Sequence, residues 1–482
     1  MSSLKKQTVS SVKWLVGSSF LQKAISFGAT IILARILSPS VFGLFTLAFV
    51  AIDSLGLFKS LGFDSALIRK KDNIEKAANT AFFIIPLLGF TLFLILNISA
   101  PVIGKSLNNQ EIVGVIRILG IIFIFSCLGK VPAAMLEKSM QFKKVSIIEI
   151  SSAILYSVSA ITLALLGFGV WSLVVAYIIK TLNQNILFWI FSKWHPKFEF
   201  DKDIALEMFH FGKFLFLGGV VLFLRMNLDN LFVGKLLGVE ALGLYAVAFN
   251  IANFGSDYFG GKVHRVVFPA YSKIQGDKKD LKPASLKVLQ HVSLLIIPFS
   301  IGIILLGADF LRLAYGSKWM GAARVLQILA FAGLFNTLPS GMNAVFLAFG
   351  KSRITFWIAT LQVTIFLLFI TPMAKLFGIN GVAIVVSVSS LVAFVFTIAF
   401  VGKILSMNIN DVWMSIKPAL IPSIFMATTI IITKNILLLN SLFIPLRYNF
   451  IVLLPVAIVS YFIFLRLFHK KIVLNLKELL FL

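Results

Sequence analysis

Six charged side chains fall deep inside apolar runs of this chain: Lys23, Asp53, Lys180, Arg225, Asp229 and Asp257. A charge among lipid-like flanks costs at least a few kcal/mol, so each must face water, another charge or a ligand. Arg225 and Asp229 are spaced i,i+4 and can pair along one helix face, which makes mutual neutralisation their plainest use. Lys23 and Lys180 have no acidic residue three or four positions away on either side. An ammonium in a poorly screened site is suited to holding the oxygens of an anion, phosphate above all. Lys23, Lys180 and Arg225 are therefore candidate anion-binding cations, and Asp53, Asp229 and Asp257 candidates for ion coupling or for balancing those cations. Asn250, Asn253 and Asp257 recur at i, i+3 and i+7, the spacing of a polar stripe on a helix. The amides of Asn250 and Asn253 make them candidate substrate contacts. Arg117, Arg324, Lys59 and Lys130 lie nearer the ends of their runs, where long side chains snorkel to the interface.

Enzymatic signatures are missing. No glycine-rich loop ends in Gly-Lys-Ser/Thr, so a phosphate-cradling nucleotide site is not expected. The five histidines, His195, His210, His264, His291 and His469, have no metal-ligand spacing, and Cys127 is the lone cysteine. Catalytic residues, metal and resident cofactor are thus all expected to be none; coupling to a Na⁺ or H⁺ gradient or to the membrane potential remains open. The longest segments expected outside the membrane on the far face, about 101–111 and 307–319, offer little acid beyond Glu111 and Asp309.

The elements that must position these residues are membrane-spanning helices. Hydrophobic residues are 59% of 482, charged ones 13%, and the mean hydropathy is +0.98. Runs such as Ile121 to Phe125 and Leu361 to Ile370 are apolar on every face, which a membrane strand with its period of two is not. At roughly 20 residues per span, the chain holds about fourteen helices. The net charge of +25 invites a nucleic-acid partner, but most Lys and Arg fall in alternate inter-span segments, as the positive-inside rule requires. The partner is the bilayer, both termini are expected in the cytoplasm, and no nucleic acid is implied. Trp14, Trp171, Trp189 and Trp319 near span ends suit an interfacial belt, and Pro86, Pro132, Pro298 and Pro339 suit kinks. The first apolar stretch lacks a cleavage site and is expected to stay in the mature protein.

Two stretches say the same thing. Lys13, Arg35, Gly43, Leu44, Ala48 and Phe49 return as Lys213, Lys235, Gly243, Leu244, Ala248 and Phe249, and Gly114, Arg117 and Leu119 return as Gly321, Arg324 and Leu326. Both copies follow a basic segment and so enter the bilayer the same way round. They read as parallel repeats about an axis along the membrane normal, with a shared central cavity, an arrangement that points to transport. The expected partition is a six-helix N-lobe over 1–191, a cytoplasmic linker over 192–211, a six-helix C-lobe over 212–402, and two appended helices with a tail over 403–482. In the linker, Ile204, Met208 and Phe211 suit a short helix lying at the headgroups.

The run from Trp14 to Asp72, with Ala34-Arg35-Ile36-Leu37-Ser38-Pro39, Phe42-Gly43-Leu44-Phe45 and Gly62-Phe63-Asp64-Ser65-Ala66-Leu67-Ile68-Arg69, resembles the polysaccharide transporter family. So do Gln141-Phe142-Lys143-Lys144, Gly169-Val170-Trp171-Ser172-Leu173 and the run from Trp319 to Leu329. These are the Wzx-type flippases of the multidrug/oligosaccharidyl-lipid/polysaccharide exporter superfamily. The resemblance implies two six-helix lobes plus two helices, and export of an undecaprenyl-pyrophosphate-linked oligosaccharide across the inner membrane by alternating access. O-antigen, capsule or exopolysaccharide assembly would use it, alongside a polymerase and a chain-length regulator. The alternatives are a multidrug or cation antiporter of the same superfamily and a membrane-embedded glycosyltransferase or polymerase.

Overall fold

Long apolar runs have one open-ended solution in lipid, a helix that closes its backbone hydrogen bonds within itself. The computed structural model describes residues 2–256, 267, 270–272, 278–439 and 449–468, and the regular structure described is helical throughout. The chain divides into two compact units, residues 1–243 and 244–482. The first contains α1 (Ser2–Ile36), α2 (Pro39–Gly56), α3 (Phe63–Arg69), α4 (Ile74–Ser106), α5 (Glu111–Leu119), α6 (Ile122–Leu128), α7 (Lys130–Lys138), α8 (Phe142–Leu165), α9 (Val170–Ser192) and most of α10 (Lys202–Gly255). The second holds the end of α10, then α11 (Lys278–Ala314), α12 (Ala323–Thr337), α13 (Ser340–Ala348), α14 (Ser352–Leu405), α15 (Ile409–Leu439) and α16 (Asn449–Phe468).

Twelve helical stretches among the described residues are long and apolar enough to cross a membrane. Two helices are double-length. α10 and α14 each run for 54 residues and break at one non-helical glycine, Gly238 (φ 87°, ψ 174°) and Gly378 (φ 58°, ψ −140°). A straight helix of that length would reach about 80 Å, more than twice a hydrocarbon core of roughly 30 Å. The positive φ is open to glycine at little cost. In α14 the consequence is visible: Ile354 near its start and Phe400 to Ile404 near its end line the same cavity, so the helix folds back on itself at Gly378. The sequence's count of about fourteen stands against these twelve stretches, two of which, Met226–Gly255 and Arg353–Leu405, cross a glycine break.

In the first unit, α8 packs against α1 and α9, α4 against α5 and α6, α3 against α7, and α2 against α5 and α9. Among the described glycines of this unit, the closest approach is between α2 and α10. A Cβ on Gly43 would lie 1.6 Å from the Val239 carbonyl oxygen, and one on Gly243 would lie 1.8 Å from that of Pro39. Further along, Gly234 meets Leu47, Gly219 meets Leu57, and Gly62 meets Gly212. The pairs run in opposite directions along the two segments, so α2 is antiparallel to residues 212–239, with small residues admitting near backbone-to-backbone contact.

The polar stretch before α10 is strapped down rather than loose. Asn79 and Thr80, both buried in α4, accept the Lys197 and Asp201 N–H groups at 3.0 and 3.1 Å. The Asp201 carboxylate then caps α10 by accepting the Asp203 and Ile204 N–H groups. Ile204 and Met208 are buried against Phe63, Leu67, Ala77 and Ala81 instead of lying at headgroups, because the first turns of α10 fold onto this core.

In the second unit α11 is central, touching α12, α13, α14, α15 and α16. Polar contacts fix α15 and α16 on it: Lys282–Asp411 at 2.7 Å, Lys434–Asp309 at 2.6 Å, and the Tyr461 hydroxyl donating to Leu294 O at 2.8 Å. The expected kinks take different forms. Pro86 and Pro298 lie within continuous helices, whereas Pro339 stands at the break between α12 and α13, and Pro132 at the start of α7. Trp14 and Trp171 are exposed, as a belt requires, but Trp319 is fully buried edge-on to Tyr315 at 5.9 Å and belongs to the core.

Candidate functional site

Lys180 sits mid-way along α9, a helix whose apolar flank packs on α8. Its ammonium lies 5.3 Å from the ring centroid of Tyr177, one turn earlier on α9, and 5.9 Å from that of Tyr156 on α8. The Tyr177 ring is held edge-on by Phe49 of α2 at 5.1 Å and by Tyr156 at 6.3 Å. Glu149 of α8 is the carboxylate within electrostatic reach of Lys180. Its Oε2 accepts the Gln22 side-chain N–H at 2.8 Å, which connects α1 to the same cluster beside Lys23. Three helices, α1, α8 and α9, thus meet in one group of an ammonium, two phenols, a carboxylate and an amide.

A second group begins at Asp53 on α2. Asp53 is within electrostatic reach of Lys59 and of Tyr177. The Lys59 ammonium lies 5.1 Å from the Phe123 ring of α6. Next to it, Lys130 pairs with Asp64 at 3.2 Å, and the same carboxylate accepts the Ser60 hydroxyl at 3.0 Å and the Ser65 N–H at 2.9 Å. Burial pushes the Asp64 carboxyl up, but the Lys130 ammonium and these hydrogen bonds outweigh it and hold it below the usual carboxylate range. The contacts Leu47–Gly234 and Leu57–Gly219 lie on either side of Asp53 along the α2–α10 pair.

Asp229 is buried one turn further on α10, and its Oδ1 accepts the Asn230 N–H at 2.9 Å. The Arg225 side chain and the whole of Asp257 lie outside the described residues. Asn250 and Asn253 belong to the second unit. Asn250 is exposed, and Asn253 is half-buried with its amide donating to Phe249 O at 3.1 Å. The structure therefore brings Lys180 and Asp53 to either side of Tyr177.

Glu149, Tyr156, Tyr177 and Gln22 carry no functional reading in the sequence, Asp64 stands there only within the family motif, and Lys59 and Lys130 read there as snorkelling side chains. Glu149 had a signal, since it interrupts the run from Ile147 to Ile150. The others are recognised only through partners far away in the chain. Chemically, ammonium groups beside phenol hydroxyls can hold phosphate oxygens, while the neighbouring carboxylates can exchange those cations for a bound cation or proton.

A family model described as "Polysaccharide biosynthesis protein" matches residues 32–324. The teichuronic acid biosynthesis protein TuaB of Bacillus subtilis is 28% identical over 425 residues, 87% of this chain and 88% of that protein. The succinoglycan biosynthesis transport protein ExoT of Rhizobium meliloti is 26% identical, covering 72% of this chain and 71% of its own. Among solved structures, lipid II flippase MurJ in an inward closed conformation superposes with a TM-score of 0.77 at 15% identity, over 95% of this chain and 99% of that one. At that identity the likeness is one of fold.

Proposed function

Because this chain belongs to the polysaccharide biosynthesis protein family, matched over more than half of its length, we propose that it is a flippase for lipid-linked oligosaccharide, a transporter and not an enzyme. Its cargo is an undecaprenyl-pyrophosphate-linked glycan, moved by alternating access from the cytoplasmic to the outer leaflet for O-antigen, capsule or exopolysaccharide. The observation that carries this reading is the Lys180–Tyr156–Tyr177 group inside a fold shared with a lipid flippase. A pyrophosphate carries negative charge that has to be held while the glycan leaves water, and cations beside phenols supply that hold. Lys23, Lys180 and Arg225 contribute positive potential. Asn250 and Asn253 of the second unit offer amides for glycan hydroxyls. Asp53, Asp229 and Asp257 balance the cations between cargoes or couple the cycle to Na⁺, H⁺ or the membrane potential.

The chain is a multi-pass membrane protein. The alternation of basic segments supports an inner-membrane placement with both termini in the cytoplasm, and the sequence repeat supports two six-helix lobes followed by two appended helices. A polymerase and a chain-length regulator are the expected protein partners. The test is surface-glycan export in a strain lacking its own flippase. Lys180→Gln, and the double variant Lys23→Gln/Arg225→Gln, should lower export several-fold at unchanged membrane abundance. Full export by both would remove the anion-binding role. Glycan transfer by the purified protein alone would replace the flippase with an enzyme.

A further inference from the structure

The second unit contains a cavity of about 300 Å³ at the place where α14 begins and ends. Its walls are Phe349 and Lys351, just before α14, Ile354 in the first turn, and Phe400, Lys403 and Ile404 in the last. The lining is divided in character, with two ammonium groups and four apolar side chains. Two other lysines of this unit are neutralised by carboxylates, Lys282 by Asp411 and Lys434 by Asp309. Among the described residues, neither Lys351 nor Lys403 is in an ion pair. Lys282 also donates to Ser406 O at 3.2 Å, close to Lys403 in the chain, but its own charge is balanced by Asp411. The cavity rim is therefore net positive.

The surrounding surface is of the kind that meets acyl chains. Phe356 and Trp357, one turn into α14, are exposed, as is Phe396, which stacks on the cavity-lining Phe400 at 6.3 Å. An exposed tryptophan beside basic residues at a span end marks the headgroup level of a bilayer. We propose that this cavity binds the headgroup of an anionic phospholipid of the surrounding leaflet. The phosphate sits between Lys351 and Lys403, and the first methylenes of an acyl chain run along Phe349, Ile354 and Phe400. Basic pockets between spans recognise anionic lipid in this way. The volume, at the small end for a ligand pocket, suits a headgroup and not a whole glycan. The site is independent of the cargo proposed above.

The full-length protein, delipidated in neutral detergent, is titrated with phosphatidylglycerol or phosphatidylcholine, and bound lipid is read by native mass spectrometry alongside the melting temperature. Phosphatidylglycerol should bind in preference to phosphatidylcholine, and Lys351→Gln/Lys403→Gln should weaken it by about tenfold. Lys351→Arg/Lys403→Arg and Lys375→Gln, the latter an exposed lysine elsewhere on α14, should bind as the parent does. Inorganic phosphate alone should not raise the melting temperature. Undiminished phosphatidylglycerol binding by the Gln double variant, loss of binding in the Arg double variant or in Lys375→Gln, or equal stabilisation by inorganic phosphate would each overturn the proposal.

Discussion

Asp309 is a buried carboxylate whose charge is balanced by the Lys434 ammonium of another helix. Removing one member of such a pair leaves an uncompensated charge, so Lys434→Met should lower thermal stability by about 3–5 kcal/mol. Asp309→Leu/Lys434→Met should recover most of that loss, because the desolvation penalty disappears with both charges; scanning the melting of the two variants in detergent decides it. Asp64 yields a pH effect. Its folded carboxyl lies below the unfolded value, so its contribution is complete above the unfolded value of about 3.9 and is lost as pH falls through the lower folded value. Melting curves of the parent and Asp64→Asn should converge at acid pH and separate above it. An unchanged gap at every pH would exclude the Lys130 pairing as its source. At this scale the sequence exposed the charges and hid their partners. Asp53 and Lys180 are conspicuous inside apolar runs, but Lys130 and Asp64 come from helices well apart in the chain, and no local spacing announces their meeting.

At the scale of elements, α2 depends on α10 offering it glycines. Gly43→Val places a branched side chain where even one carbon would stand 1.6 Å from Val239 O, so the pair must separate. The expected cost is at least about 3 kcal/mol by overpacking, read as lost abundance or a lowered melting temperature. Gly17→Ala on α1, with open space around it, should be neutral or slightly stabilising. The strap over α4 has its own test. Asn79→Ala removes the acceptor for Lys197 N–H, and amide hydrogen exchange across residues 195–201 should rise several-fold. Here the periodicity and glycines were legible. The repeat pattern marked Gly43 and Gly243 as equivalents, but spacing carries no information that they touch. The buried side of Ile204 and Met208 is not legible for a related reason, since an amphipathic turn looks alike whether it covers lipid headgroups or a protein core.

For the whole molecule, the helical class followed from composition alone, while the number of crossings depends on breaks at single glycines such as Gly378 that hydropathy averages away. Sidedness is testable with single cysteines in a Cys127→Ala background. Labels at Asp72 and Gln110, exposed at opposite ends of α4, should be reached from opposite faces of the membrane; modification of both from one face would invert the topology argument. The reciprocal glycine contact has one more consequence. Gly43 approaches Val239, and Gly243 approaches Pro39; Pro39 and Val239 are themselves counterparts in the repeat. Each half of the contact is the other half rotated, the signature of an isologous surface. A side chain larger than hydrogen at either glycine therefore meets the backbone beside the other, so a single substitution strains both halves of the seam at once.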